Sequence, residues 1–78
     1  MLDNAKHFTI YSTPGCPWCE KAKNLCSDYG ATYTEIVVGK DIERDEFFKQ
    51  FPNVRTAPYI LNDDGVIGGF IELSKHLS

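Results

Sequence analysis

The sequence predicts an α/β fold of order β-α-β-α-β-β-α, and three observations carry that prediction. A strand pattern ends at Thr13-Pro14-Gly15 and passes directly into helical periodicity. A second strand follows that helix, as a right-handed crossover between parallel strands requires. Two short apolar runs joined through Asn62-Asp63-Asp64-Gly65 then read as an antiparallel hairpin. Together these give a four-stranded mixed sheet.

Each element has a local reason. Thr9-Ile10-Tyr11-Ser12, with Phe8 before it, alternates in polarity as a half-buried strand does. From Pro17 onward Ala22, Leu25, Cys26 and Tyr29 recur at spacings of three and four, which makes one apolar helix face. Pro17 suits a first helical position, where its missing N–H costs nothing, and Gly30 suits the stop. Tyr33 to Val38 is rich in β-branched and aromatic residues and reads as the second strand. Asp41 to Phe51 reads as the second helix, capped by Asp41, with Ile42, Phe47, Phe48 and Phe51 as its apolar set. Tyr59-Ile60-Leu61 and Gly65-Val66-Ile67 are the hairpin strands, and Ile71 to Leu77 is the last helix. Tyr11, Tyr33, Phe8, Phe47 and Phe51 are expected in the core.

Length and composition narrow the function. A chain of 78 residues is read as one domain, 1–78, near the lower size limit for an independent core. A net charge of −3 gives no basic footprint for nucleic acid or anionic membrane. No apolar run approaches the roughly 18 residues a membrane span needs. The start, Met1 to His7, shows no secretory signal pattern, so a reducing cytoplasm is expected, where a stable structural disulfide is out of place.

In that setting Cys16-Pro17-Trp18-Cys19 carries the chemistry. Two cysteines three apart, at the step from strand to helix, read as a redox-active dithiol. Cys16 falls at the helix N-terminus, where unpaired N–H groups and the helix dipole favour a thiolate, and Lys21 and Lys23 add positive charge nearby. Cys16 is then the attacking thiol and Cys19 the resolving one. Two alternatives compete: a pair of inert buried thiols, or a metal site. Zinc needs four ligands, and Cys26, His7 and His76 are scattered without paired spacing, so no metal is expected. Cys26 lies seven residues beyond Cys19, about 10 Å of helical rise, too far for a disulfide with it. It reads as a small core residue, with a regulatory thiol as the alternative.

Three separated segments resemble the glutaredoxins. Cys16-Pro17-Trp18-Cys19 is similar to their Cys-Pro-Tyr-Cys site. Arg55-Thr56-Ala57-Pro58 resembles their Thr-Val-Pro segment with a preceding basic residue, and Gly68-Gly69-Phe70-Ile71-Glu72 their Gly-Gly turn into the last helix. The resemblance implies a thioredoxin-like fold with helices on both faces of the sheet. It implies a glutathione-dependent thiol–disulfide oxidoreductase that reduces protein disulfides and glutathione mixed disulfides through Cys16 and Cys19. Pro17, Trp18 and Pro58, the last in cis, would support the site. Arg55, Thr56, Ala57, Gly69, Phe70, Ile71 and Glu72 would bind glutathione as co-substrate, with no tightly bound cofactor and a monomeric chain.

Thr13, Asp45 and Ile71 depart from the family pattern, each at a place where members often carry a glutathione-holding side chain, so weaker glutathione binding is expected. Two alternatives follow. One is a redoxin reduced by thioredoxin reductase and serving ribonucleotide reductase. The other is an iron–sulfur cluster carrier, against which Pro17 argues.

Overall fold

The computed structural model describes residues 7–54 and 56–77. Its elements follow the expected order: β1 (His7–Ser12), α1 (Pro17–Asp28), β2 (Thr32–Val37), α2 (Arg44–Gln50), β3 (Tyr59–Asn62), β4 (Gly65–Gly68) and α3 (Phe70–Leu77). The sheet order is β2-β1-β3-β4, with β1 parallel to β2 and antiparallel to β3, and β3 antiparallel to β4.

Burial alternates along β1 and sorts the helices between the two faces. Phe8 and Ile10 are buried on one face with Ile60 of β3, against Ala22 and Cys26 of α1 and Leu73 and Leu77 of α3. Each large apolar side chain removed from water there contributes about 1.5–3 kcal/mol. Tyr11 and Tyr59 point to the other face. There they pack with Phe47 and Phe51 at ring-centroid distances of 5.0 to 6.4 Å, which seats α2.

The ends of α1 are written into its sequence. Pro17 occupies its first turn. Gly30 adopts φ 72°, and the Gly30 and Ala31 N–H groups bond back to Ser27 and Cys26 carbonyls at 3.1 and 2.8 Å. That pair of bonds is a Schellman closure, which satisfies carbonyls the helix leaves open. In the hairpin, Asn62 Oδ1 accepts the Asp64 and Gly65 N–H groups at 2.9 and 3.1 Å, so the turn is closed by a side chain.

Three expectations need correction. The second helix begins at Arg44 rather than Asp41, with Glu43 at its N-cap. Asp41 instead folds back on the strand it follows: its carboxylate accepts the Val37 N–H at 3.0 Å, and its own N–H bonds to the Val37 carbonyl at 2.8 Å. A side chain engaged in that turn is unavailable to cap a helix. Ile42 therefore lies before the helix, bridged to Val38. Phe48, on the helix itself, is 41% exposed. Tyr29 and Tyr33 are also exposed, because Tyr29 falls in the C-cap of α1 and Tyr33 on the outer strand β2.

Candidate active site

The site is built where β1 hands over to α1. Cys16 is the N-cap residue of α1, with φ −100° and ψ 105°, and its Sγ accepts the Cys19 N–H at 3.1 Å. A side-chain acceptor bonded to the third helical N–H is the normal N-cap arrangement, here with sulfur in place of oxygen. Cys16 and Cys19 form a disulfide, with Cα atoms 5.3 Å apart. Cys19 is buried at 2% exposure, whereas Cys16 is half-buried. A reactant from solvent therefore meets Cys16 first. On reduction the same N–H and the helix dipole face the Cys16 sulfur and favour its thiolate.

A polar cluster shares the cleft with the pair. Ser12, 1% exposed, donates through Oγ to Glu35 Oε2 at 2.7 Å, and Lys23 Nζ lies 3.0 Å from the same oxygen. Lys23 also pairs with Glu20 at 2.7 Å. Hydrogen bonds from Ser12 and Lys23 hold the Glu35 carboxyl below the usual carboxylate range, and those to Glu20 and Glu35 raise Lys23. Glu35 and Lys40 line the same open cleft as Cys16 and Cys19. Lys23 is thus spent on carboxylates, and Lys21 stands 4.4 Å above the Trp18 ring. Neither is shown serving Cys16 as the sequence suggested.

A separate shallow groove of about 220 Å³ lies between Trp18 of α1, the segment before β3 and the start of α3. Trp18, Thr56, Ala57 and Pro58 form one part of it, and Gly69, Phe70, Ile71 and Glu72 the other. The Ala57–Pro58 bond is cis, as expected. Trp18 is half out in solvent and rests on Phe70 at 5.3 Å between ring centroids. So the structure brings together Trp18, Pro58 and the expected binding residues Thr56, Ala57, Gly69, Phe70, Ile71 and Glu72 in one groove, while Cys16 and Cys19 line the neighbouring cleft and Arg55 lies outside the described residues. Ile71 is 62% exposed. Glu72 turns its carboxylate onto the Gly69 N–H at 2.9 Å. Asp45 and Thr13 are exposed, and Thr13 lines a further cleft with Arg44, Phe47 and Tyr59.

Sequence reading missed Glu35 and Arg44. A lone carboxylate within the β-rich run Tyr33 to Val38 was the available signal for Glu35. Arg44 carried none, because its position depends on where α2 begins. Cys26 is fully buried, and burial pushes its thiol pKa up, which fits a core residue.

Comparison with known proteins converges on the same region. The family model described as Glutaredoxin matches residues 8–67. The chain is 33% identical over 61 residues to an uncharacterised glutaredoxin-like 8.6 kDa protein in the rubredoxin operon of Clostridium pasteurianum, covering 78% of this chain and 81% of that one. Among solved structures, glutaredoxin 1 from Francisella tularensis, complexed with cacodylate, aligns with TM-score 0.78 at 29% identity, covering 92% of both chains. The buckwheat glutaredoxin–glutathione complex aligns with TM-score 0.74 at 25% identity, over 91% of this chain and 68% of that one.

Proposed function

This chain belongs to the glutaredoxin family and is a thiol–disulfide oxidoreductase, and from that premise we propose that Cys16 is its nucleophile, Cys19 its resolving thiol and glutathione its reductant. The observation that carries the roles is the asymmetry of the pair: Cys16 is accessible and holds a helix N–H, while Cys19 is buried behind it. Support for glutathione comes from the likeness to a relative described as a glutathione complex, and from the groove beside Trp18.

The chemistry balances as two exchanges. The Cys16 thiolate attacks one sulfur of a substrate disulfide. A new sulfur–sulfur bond forms, the old one breaks, and the departing thiolate takes a proton from solvent. Cys19 then loses its proton, and its sulfur attacks Cys16. The second substrate thiolate leaves, two electrons have passed to substrate, and Cys16–Cys19 is oxidised. Two glutathione molecules would return the pair to dithiol and leave as glutathione disulfide. A cytoplasmic setting, where that thiol is abundant, belongs to the same proposal.

The test is turnover of a small glutathione mixed disulfide coupled to glutathione reductase. The expected result is turnover by the wild type, none by Cys16→Ser, and retained monothiol turnover by Cys19→Ser. Activity surviving in Cys16→Ser rejects the assigned roles. A second reading, recharging by a dithiol reductase such as thioredoxin reductase with ribonucleotide reductase as a substrate, is favoured by Ile71, an exposed apolar side chain at the groove that offers glutathione no hydrogen bond. Recharging by thioredoxin reductase but not by millimolar glutathione would select it.

A further inference from the structure

Cys19 and Lys23 are four residues apart on α1, so they leave the same helix face, with Cβ atoms about 5–6 Å apart. That face is turned away from water: Cys19 is 2% exposed, and the Lys23 side chain 15%. A cation held there would favour the anion of the buried thiol, as an opposite charge within about 4–6 Å does. Lys23 is not left to do so. Its Nζ lies 3.0 Å from Glu35 Oε2 on β2, and the buried Ser12 Oγ donates to that same oxygen at 2.7 Å. Glu35 thus answers the Lys23 charge at the wall of the cleft that Cys16 and Cys19 also line.

The other charges around Cys19 stand out in water, where salt screens them. Glu20 and Lys40 line the cleft but are exposed. Asp41, which acts on Glu35 from the turn after β2, is exposed and gives its carboxylate to the Val37 N–H. On α3, which also packs against α1, Glu72, Lys75 and His76 are all exposed. β1 brings Ser12, which is neutral. Among the described residues, Lys23 and Glu35 are therefore the half-buried charges on this face, and removing either one leaves the other uncompensated.

We propose that Glu35 is a positioning residue for the redox reaction: by holding Lys23 it keeps Cys19 a thiol at neutral pH, and so sets how long a disulfide between Cys16 and a substrate survives before Cys19 closes it. The proposal rests on the reading of Cys16 as nucleophile and Cys19 as resolving thiol. While Cys19 keeps its proton, the mixed disulfide stays open to an external thiol. Once that proton passes to solvent, the Cys19 sulfur attacks Cys16 and a bond forms between them. The bond from Cys16 to substrate breaks, and the substrate sulfur leaves with the electron pair and is protonated.

Two substitutions, each removing one charge, separate this role from a merely structural one, because they act in opposite directions. The probe is the symmetric disulfide of thionitrobenzoate, mixed with the reduced protein. Attack by Cys16 releases a first coloured thiolate at a rate set by probe concentration, and closure by Cys19 releases a second at a rate that is not. Glu35→Gln keeps an oxygen for Ser12 and Lys23 but frees the Lys23 charge. It should speed the second step about tenfold at neutral pH, the lower end for a charge at this range because the pair is partly exposed. Its pH profile should move down. Lys23→Gln leaves the Glu35 charge unanswered and should slow the second step by a similar factor, with the profile moved up. The double variant should return close to wild type, and the first step should change less than the second throughout. An unchanged second step in Glu35→Gln overturns the proposal, as does a shift of both single variants in one direction. Lys23→Gln also decides alone, since a faster second step there overturns it. A first step missing in wild type, or surviving in Cys16→Ser, would instead overturn the cysteine roles beneath it.

Discussion

Ser12 and Glu35 are joined across the parallel strands β1 and β2 by a 2.7 Å hydrogen bond, donated from a hydroxyl that is almost wholly buried. Lys23 of α1 reaches the same carboxylate, so a strand, its neighbour and the helix bearing the cysteines meet at one oxygen. Ser12 and Glu35 line the cleft that Cys16 and Cys19 also line, and the Lys23 contact ties that wall to the packing of α1 on the sheet.

A pH dependence follows from this cluster. Glu35 titrates below its ordinary value of 4.5 in the folded chain, so its contribution is present above 4.5 and lost as pH falls through the folded value. Lys23 titrates above 10.5, so its contribution is present below 10.5 and lost as pH rises through the folded value. Glu35→Gln should cost about 1 kcal/mol at pH 7, after allowing for partial exposure of the pair. The check is urea unfolding at pH 7 and at pH 3. Wild type should lose more stability than Glu35→Gln between them, and equal losses would remove the carboxylate from the account.

The turn before α3 separates two adjacent glycines. Gly68 has φ 125° and a Cβ there would meet three Glu72 side-chain atoms within 3.2 Å. At Gly69 a Cβ would meet Glu72 Oε1 at 3.3 Å and the Pro58 carbonyl at 3.7 Å, without a left-handed φ. Gly68→Ala should therefore cost about 1–3 kcal/mol through backbone strain and displacement of Glu72. Gly69→Ala should cost clearly less. Paired urea titrations decide it, and equal costs would mean the left-handed backbone at Gly68 carries no penalty.

How much of this was legible in the sequence depended on the range of the interaction. Pro17, Gly30 and Asn62-Asp63-Asp64-Gly65 act within a few residues of themselves, and the elements they bound came out in the expected order. Asp41 misled because an aspartate before a helical pattern fits two local bonds, a helix cap or a turn onto the preceding strand. The two bonds between Asp41 and the Val37 backbone decide for the turn. Tyr29 and Tyr33 misled because apolar character says nothing about whether a helix end or an edge strand has anything opposite it. Lys23 lies close to Cys16 in sequence, but Glu35 comes from a strand twelve residues later, and only the crossover brings that carboxylate to it. The cysteine motif and the Gly68-Gly69 turn were readable because each is local, whereas the cis bond at Pro58 was expected only from the family resemblance. The direction of the Glu72 carboxylate was not readable.

The three cysteines should differ sharply in reactivity. In the reduced protein Cys16 is reachable and sits on a helix N-terminus, Cys19 is nearly buried, and Cys26 is fully buried with its thiol pKa raised by desolvation. Alkylation by iodoacetamide at neutral pH, followed by mass spectrometry, should label Cys16 first. Cys26 should be labelled only when the chain unfolds. Cys26→Ala should leave the order of the other two unchanged and cost about 1 kcal/mol for the sulfur removed from the core. Early labelling of Cys26 in the folded protein would contradict its full burial in the core cluster with Phe8, Ile10 and Ile60.

The helix α2 is held by rings rather than by its own length. Seven residues are too few for a helix to persist alone, and Phe47 anchors it against Tyr11, Phe51 and Tyr59. Phe47→Leu keeps an apolar side chain but loses the ring contacts, at about 1–2 kcal/mol, each ring pair counting roughly 0.5–1.5 kcal/mol beyond its area. For a domain of this size that lowers Tm by about 4–8 °C per kcal/mol. Phe48, on the same helix, is 41% exposed, and Phe48→Leu should stay within about 0.5 kcal/mol of wild type. Thermal unfolding of the two variants side by side decides the matter. A larger loss at Phe48 would place the anchor of α2, and with it the wall of the cleft lined by Arg44 and Thr56, on the other face of that helix.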